Sequence, residues 1–142
     1  MDPLNLAAKI DAKIRQSFAQ QSMMHTLGAS LVALGPGKVV IAADVADTLL
    51  QQQGFAHAGL TFALGDSAAG YAALSLMPVE VDVLTVEMKI NLLAPGAGRL
   101  VAEGRVIKPG RRLVIAASDV YAEDGAGGRK HIAALQGTMI PV

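Results

Sequence analysis

GLTFALGDSAAGYAALSLM, residues 59–77, is apolar or small at almost every position and holds one carboxylate, Asp66, with Tyr71 its only other ionisable side chain. The run is long enough for a helix of several turns, and a helix apolar on nearly every side is one wrapped by protein, such as a helix embraced by a curved sheet. A membrane span is disfavoured. Asp66 in mid-segment would cost about 2.5–3.5 kcal/mol on an insertion scale, and Gly59, Gly65 and Gly70 weaken an isolated helix further. An ionised carboxylate among Leu, Ala and Gly loses much of its hydration, which a fold tolerates where the group is paired or serves chemistry. Asp66 is therefore the candidate centre of a functional site, with a buried structural carboxylate as the alternative.

Outward from this helix the chain reads as short elements separated by strong turns. Asp2 suits a helix cap with Pro3 at the first position, and Leu6, Ile10, Ile14 and Phe18 recur every fourth residue. That spacing predicts an amphipathic N-terminal helix with Lys9, Lys13 and Arg15 facing solvent. His25–Leu34 and Lys38–Val45 flank Gly35-Pro36-Gly37 and predict a hairpin, and 48–56 reads as a polar, Gln-rich loop. From Asp82 to Leu92 the alternation places Leu84, Val86, Met88, Ile90 and Leu92 on one face and Thr85, Glu87, Lys89 and Asn91 on the other. Turns at 95–98, 109–110 and 123–128 separate three further strands, 99–107, 113–121 and 130–140. The expected order is helix, two strands, long helix, four strands, with the last four forming an antiparallel meander.

Composition limits what such a domain can do. At 142 residues the chain is expected to be one domain, 1–142, with enough length to bury a core without staples. Twelve Lys and Arg balance twelve Asp and Glu, which argues against a global basic surface for nucleic acid or anionic membrane. With no cysteine there is no disulfide, thiolate metal site or cysteine nucleophile. His25 and His131, on separate expected strands, lack a carboxylate at metal-ligand spacing, so no metal site is expected. The charged N-terminus lacks the apolar run of a signal peptide, and a cytoplasmic location is expected.

The helical neighbours of Asp66 are Phe62, Ala63, Ala69 and Gly70, mostly small, leaving room for a substrate atom or a water. Gly59 lies in the first turn, where backbone N–H groups lack intrahelical partners and the helix dipole is positive. Two turns, about 10 Å, separate Gly59 from Asp66. That is too far for both to act on one carbonyl within one subunit, and it permits a pair completed between two copies.

The runs QQQGFAHAGLTFALGDSAAGYAAL, VDVLTVEMKINLLAPG and GRVIKPGRRLVIAASDVYAEDG resemble hotdog-fold acyl-CoA thioesterases of the PaaI or 4-hydroxybenzoyl-CoA thioesterase type, from about Val39 to the end. In that family H-G-G opens the central helix and an acid follows the second Gly by seven residues; here the motif is His57-Ala58-Gly59 with Asp66. The resemblance implies an α+β hotdog: a long central helix wrapped by a curved antiparallel six-stranded sheet, with an added N-terminal helix. It implies acyl-CoA thioester hydrolysis, with Asp66 as nucleophile or general base and the Gly59 N–H as oxyanion donor from a neighbouring subunit. It also implies that Gln51 or Gln52 orients water or substrate and that Thr85 positions the attacking water. His57 is a further catalytic candidate, although a residue at the start of a helix more often bonds backbone, so its nearer use is shaping the turn. No cofactor is implied beyond the CoA thioester as substrate, and the assembly implied is a tetramer built from dimers.

Ala58 departs from the motif by one methyl group at the helix entry, which puts substrate identity in question more than activity. Lys108, Arg111 and Arg112 cluster in a turn and are candidates for the CoA phosphates, since arginine forks match phosphate oxygens. Two other functions stay open at this point: a hotdog dehydratase or hydratase pairing His57 with Asp66, and a non-catalytic acyl-CoA-binding oligomer.

Overall fold

The computed structural model describes the backbone of residues 3–142 and side chains from residue 7 onward. The Asp2 cap and the Leu6 end of the apolar stripe lie outside the described residues. Helix α1 spans Pro3–Gln20 and a short α2 spans Ser22–Thr26. Ile10 and Ile14 of α1 are buried and Phe18 packs at the margin of the core, as a stripe repeating every fourth residue requires. His25 was expected in a strand but lies in α2, because the residues before Ser30 close a helical turn rather than extend. Lys13 also departs from expectation. Its ammonium is half-buried, donates to the Val79 carbonyl at 2.9 Å and to the Val81 carbonyl, and pairs with Asp82 at 3.3 Å, which clamps α1 onto the segment after the central helix.

Strands β1 (Ser30–Gly35) and β2 (Lys38–Asp44) form the expected hairpin, turned by Pro36 and Gly37, the latter at φ +72° where glycine is favoured. A single 3-10 turn, Asp47–Leu49, leads to the central helix α3, Ala58–Leu74. Four strands follow: β3 (Val83–Leu92), β4 (Arg99–Pro109), β5 (Val114–Glu123) and β6 (Arg129–Pro141). They join β1 and β2 in one antiparallel sheet of order β1-β2-β4-β5-β6-β3 that curves around α3.

The meander therefore covers β4–β5–β6, while β3 sits beside β6 at the far edge instead of beside β4. The link 93–98 is a crossing rather than a tight turn. Leu93 donates to the Ile132 carbonyl at 2.8 Å, Gly96 accepts from Ala56 at 2.8 Å and Gly98 accepts from Val45 at 2.8 Å, carrying the chain from the β6 side to β2. The glycines and proline announced a change of direction and not the neighbour it led to.

Close approach of helix and sheet explains two glycines. A Cβ at Gly104 would lie 2.3 Å from the Ala68 carbonyl, so β4 can meet the α3 backbone only without a side chain there. Gly65 faces Leu135, whose methyl groups would be 2.8 Å from an added Cβ, so a core side chain occupies its open face. Ser118, fully buried, donates to the Gly65 carbonyl and fixes the helix's depth. The outer sheet face is polar, with Arg105 paired to Asp119 at 2.6 Å and Arg129 paired to Glu103.

Candidate active site

Asp66 faces away from the sheet's centre toward the start of β3. Its Oδ1 accepts from the Thr85 hydroxyl at 2.8 Å, and Thr85 Oγ1 also lies 3.2 Å from Met139 Sδ. Simple alternation would have placed Thr85 opposite Met88 and Ile90. A β-bulge between Thr85 and Glu87 makes Val86 an extra residue, so Thr85 pairs with buried Met139 while Glu87 pairs with Thr138. The bulge turns Thr85 inward to α3 and turns Leu84 and Val86 outward, each 56% exposed. The expected apolar face of β3 is thereby divided, with only Met88 and Ile90 packed on the core as predicted.

Burial pushes the Asp66 carboxyl above the ordinary aspartate range, and the Thr85 hydrogen bond, which favours the ionised form, acts the other way. The carboxylate opens onto a cavity of about 420 Å³ walled by Gly70, Tyr71, Thr85, Ser17 and Gln21. A methyl group at Gly70 would meet nothing within 4 Å, so the helix leaves real space beside the acid.

The helix entry lies elsewhere. His57 is the N-cap: its Nδ1 accepts from the Gly59 N–H at 2.8 Å and its carbonyl accepts from Leu60 at 3.0 Å. The Gly59 N–H is thus engaged, whereas the Ala58 N–H meets no acceptor among the described residues. Gln51 Oε1 accepts from the Gln53 and Phe55 N–H groups, so this side chain builds the loop before α3. Gln52 is exposed beside it. Gln51, Gln52, His57 and Ala58 line a second cavity of about 500 Å³, next to Leu92 at the far end of β3. One chain therefore brings Asp66 to Thr85 but holds both apart from Gly59, His57, Gln51 and Gln52.

A model of the thioesterase superfamily matches residues 53–128, from the loop before α3 to the turn before β6. The chain belongs to the thioesterase superfamily. It is a thioester hydrolase with a hotdog fold. A thioesterase family protein from Silicibacter pomeroyi is 43% identical, with TM-score 0.90, over 94% of this chain and 98% of that one. The phenylacetic acid degradation protein PaaI from Thermus thermophilus is 30% identical with TM-score 0.74, over 84% and 98%. The 1,4-dihydroxy-2-naphthoyl-CoA hydrolase of Listeria monocytogenes is 32% identical over 91 residues, covering 63% of this chain and 73% of its own.

In this thioesterase the basic cluster sits on the β4–β5 hairpin, with Lys108, Arg111 and Arg112 exposed and unpaired among the described residues. Register places Pro109, Val114, Met139 and Thr85 in one row across four strands. The hairpin is thus at the same end of the sheet as Thr85, about 14 Å away at the usual strand spacing. The polar group Ser17, Gln21 and Tyr71 was not anticipated, because α1 carried only an amphipathic signal and nothing placed it against α3.

Proposed function

We propose that this thioester hydrolase cleaves acyl-CoA, with Asp66 as nucleophile or general base and Thr85 orienting it or the attacking water. The observation that carries the reading is the Asp66–Thr85 pair opening onto a cavity at an unpaired sheet edge. With water as nucleophile, Asp66 takes one proton as the oxygen attacks the thioester carbon. The C–S bond then breaks and the CoA sulfur leaves with a proton returned to it.

The carbonyl oxygen is stabilised by the α3 entry of a second copy. In support, β3 is an edge strand exposing Leu84, Val86 and Leu92, and the two half-sites lie at its opposite ends. Antiparallel addition of β3 to its own copy about a two-fold axis brings the Asp66 end of one chain to the Ala58 end of the other. The Gly59 N–H serves as oxyanion donor once it exchanges His57 Nδ1 for the thioester oxygen, and the adjacent Ala58 N–H has no bond to give up. Gln51 and Gln52 flank the incoming carbonyl, and Lys108, Arg111 and Arg112 receive the CoA phosphates. The minimal unit is a dimer, two of which form the tetramer, working without a cofactor in the cytoplasm.

The test is thiol release from short, medium, long-chain and aromatic acyl-CoAs by the wild type and Asp66→Asn. Turnover of some member, lost at least about a hundredfold in the variant, sustains the reading. Equal turnover by both proteins removes Asp66 from the chemistry.

A further inference from the structure

The cavity beside Asp66 has a polar far end. Tyr71, buried on α3, accepts from Gln21 Nε2, and its Oη lies 3.0 Å from Ser17 Oγ. Ser17 comes from α1 and Gln21 is the residue between α1 and α2, and both lie outside residues 53–128 matched by the family model. Phe18 packs on the Tyr71 ring at 6.3 Å between centroids, and the Lys13 clamp fixes the same helix, so the cluster is held from both sides.

Counting protons shows what this end can do. Ser17 and Tyr71 carry two hydroxyl protons and share one hydrogen bond, while Gln21 adds a donor and no acceptor to the Tyr71 oxygen. Whichever hydroxyl donates to the other, one proton is left without an acceptor among the described residues. The cluster is a donor site. The axial rise from Asp66 to Tyr71 is about 7.5 Å, the reach of a medium-length acyl chain or a single ring. Charge narrows the ligand further: Asp66 and Asp82 line the same cavity, and Lys13 is already shared by Asp82 and two carbonyls. An anionic end would meet those carboxylates without a free cation, whereas a neutral oxygen meets a free donor.

We infer that the cavity is the acyl pocket and that Ser17 and Tyr71, braced by Gln21, select acyl groups carrying a neutral oxygen, a hydroxyl or ketone, at the end distant from the thioester. This rests on Asp66 marking the reacting end. Specificity then comes from α3 together with α1, which lies outside the stretch matched by the family model.

Heptanoyl-CoA and 6-hydroxyhexanoyl-CoA test this, since they differ by a terminal methyl against a hydroxyl of similar size. The wild type is expected to favour the hydroxylated thioester about three- to tenfold in kcat/KM, the scale of one hydrogen bond. Because either hydroxyl can supply the proton, Ser17→Ala and Tyr71→Phe each keep part of that ratio, and the double variant brings it close to one. Hydrolysis of both thioesters with a ratio near one in the wild type, or a ratio unmoved in the double variant, overturns the inference and leaves the thioesterase reading standing. If neither thioester is turned over, NMR titration with heptanoate and 6-hydroxyhexanoate decides the pocket separately. Tighter binding of the hydroxy acid, lost in the double variant, sustains it; equal binding or none overturns it.

Discussion

Thr85 donates to Asp66 across the gap between an edge strand and the central helix, and it does so only because Val86 is an extra residue in β3. The bond favours the ionised acid against burial, which favours the neutral one. Thr85→Val keeps the shape and removes the donor. The acid limb of the kcat/KM profile should then move to higher pH, because the Asp66 pKa rises further, and the plateau rate should fall about tenfold. An unmoved acid limb would separate Thr85 from the reacting carboxylate.

Asp66 also affects stability. Its folded pKa is raised, so the folded chain binds that proton more tightly than the unfolded chain does. The resulting stabilisation is full below the unfolded pKa and is lost as pH rises through the folded one. Asp66→Asn, never ionised, should melt a few degrees above the wild type at neutral pH, with the difference shrinking as pH falls through the raised Asp66 pKa. A constant difference between pH 3 and pH 7 would count against this origin, and thermal unfolding across that range measures it.

The outward face of β3 tests assembly. Val86 is 56% exposed in the single chain, so Val86→Lys should leave the monomer folded while setting like charges against each other in a β3–β3 pair. Sedimentation should show dissociation toward monomer, and thiol release should fall at least about tenfold at the same protein concentration. Full activity in a monomer would mean that one chain contains the whole site.

Two glycines should respond oppositely to alanine. At Gly104 the new Cβ would sit 2.3 Å from the Ala68 carbonyl, and a loss of about 3 kcal/mol is expected in denaturant unfolding. At Gly70 it meets open space in the middle of α3, and a gain of about 0.5–1 kcal/mol is expected from helix propensity. The same methyl group narrows the cavity, so Gly70→Ala should raise KM more for branched or ring-bearing acyl groups than for straight chains.

The central helix was legible because a nearly uniform apolar face around it has one physical solution, enclosure by sheet. Asp66 was legible because its charge was out of place in that run. Strand order was not, since turn residues record that the chain reverses and say nothing of which edge it returns to. The inward turn of Thr85 was hidden for a related reason: Val86 reads as an ordinary strand residue, and only the pairing of Thr85 with Met139 and Glu87 with Thr138 reveals the bulge. His57 was legible as a residue that bonds backbone at the start of α3, while its acceptor role toward the Gly59 N–H came from the fold. Lys13 read as a surface charge because its three acceptors lie almost seventy residues further along.

The place of β3 beside β6 sets a timetable for synthesis. Thr85 finds its strand partner only at Met139, and Val83 only at Pro141, so the helix and the middle of the sheet can emerge from a ribosome while the β3 edge still waits. Such long-range pairing is slow relative to local structure. Until β6 has arrived, β3 is a strand without a neighbour, and Thr85 has nothing to hold it against Asp66.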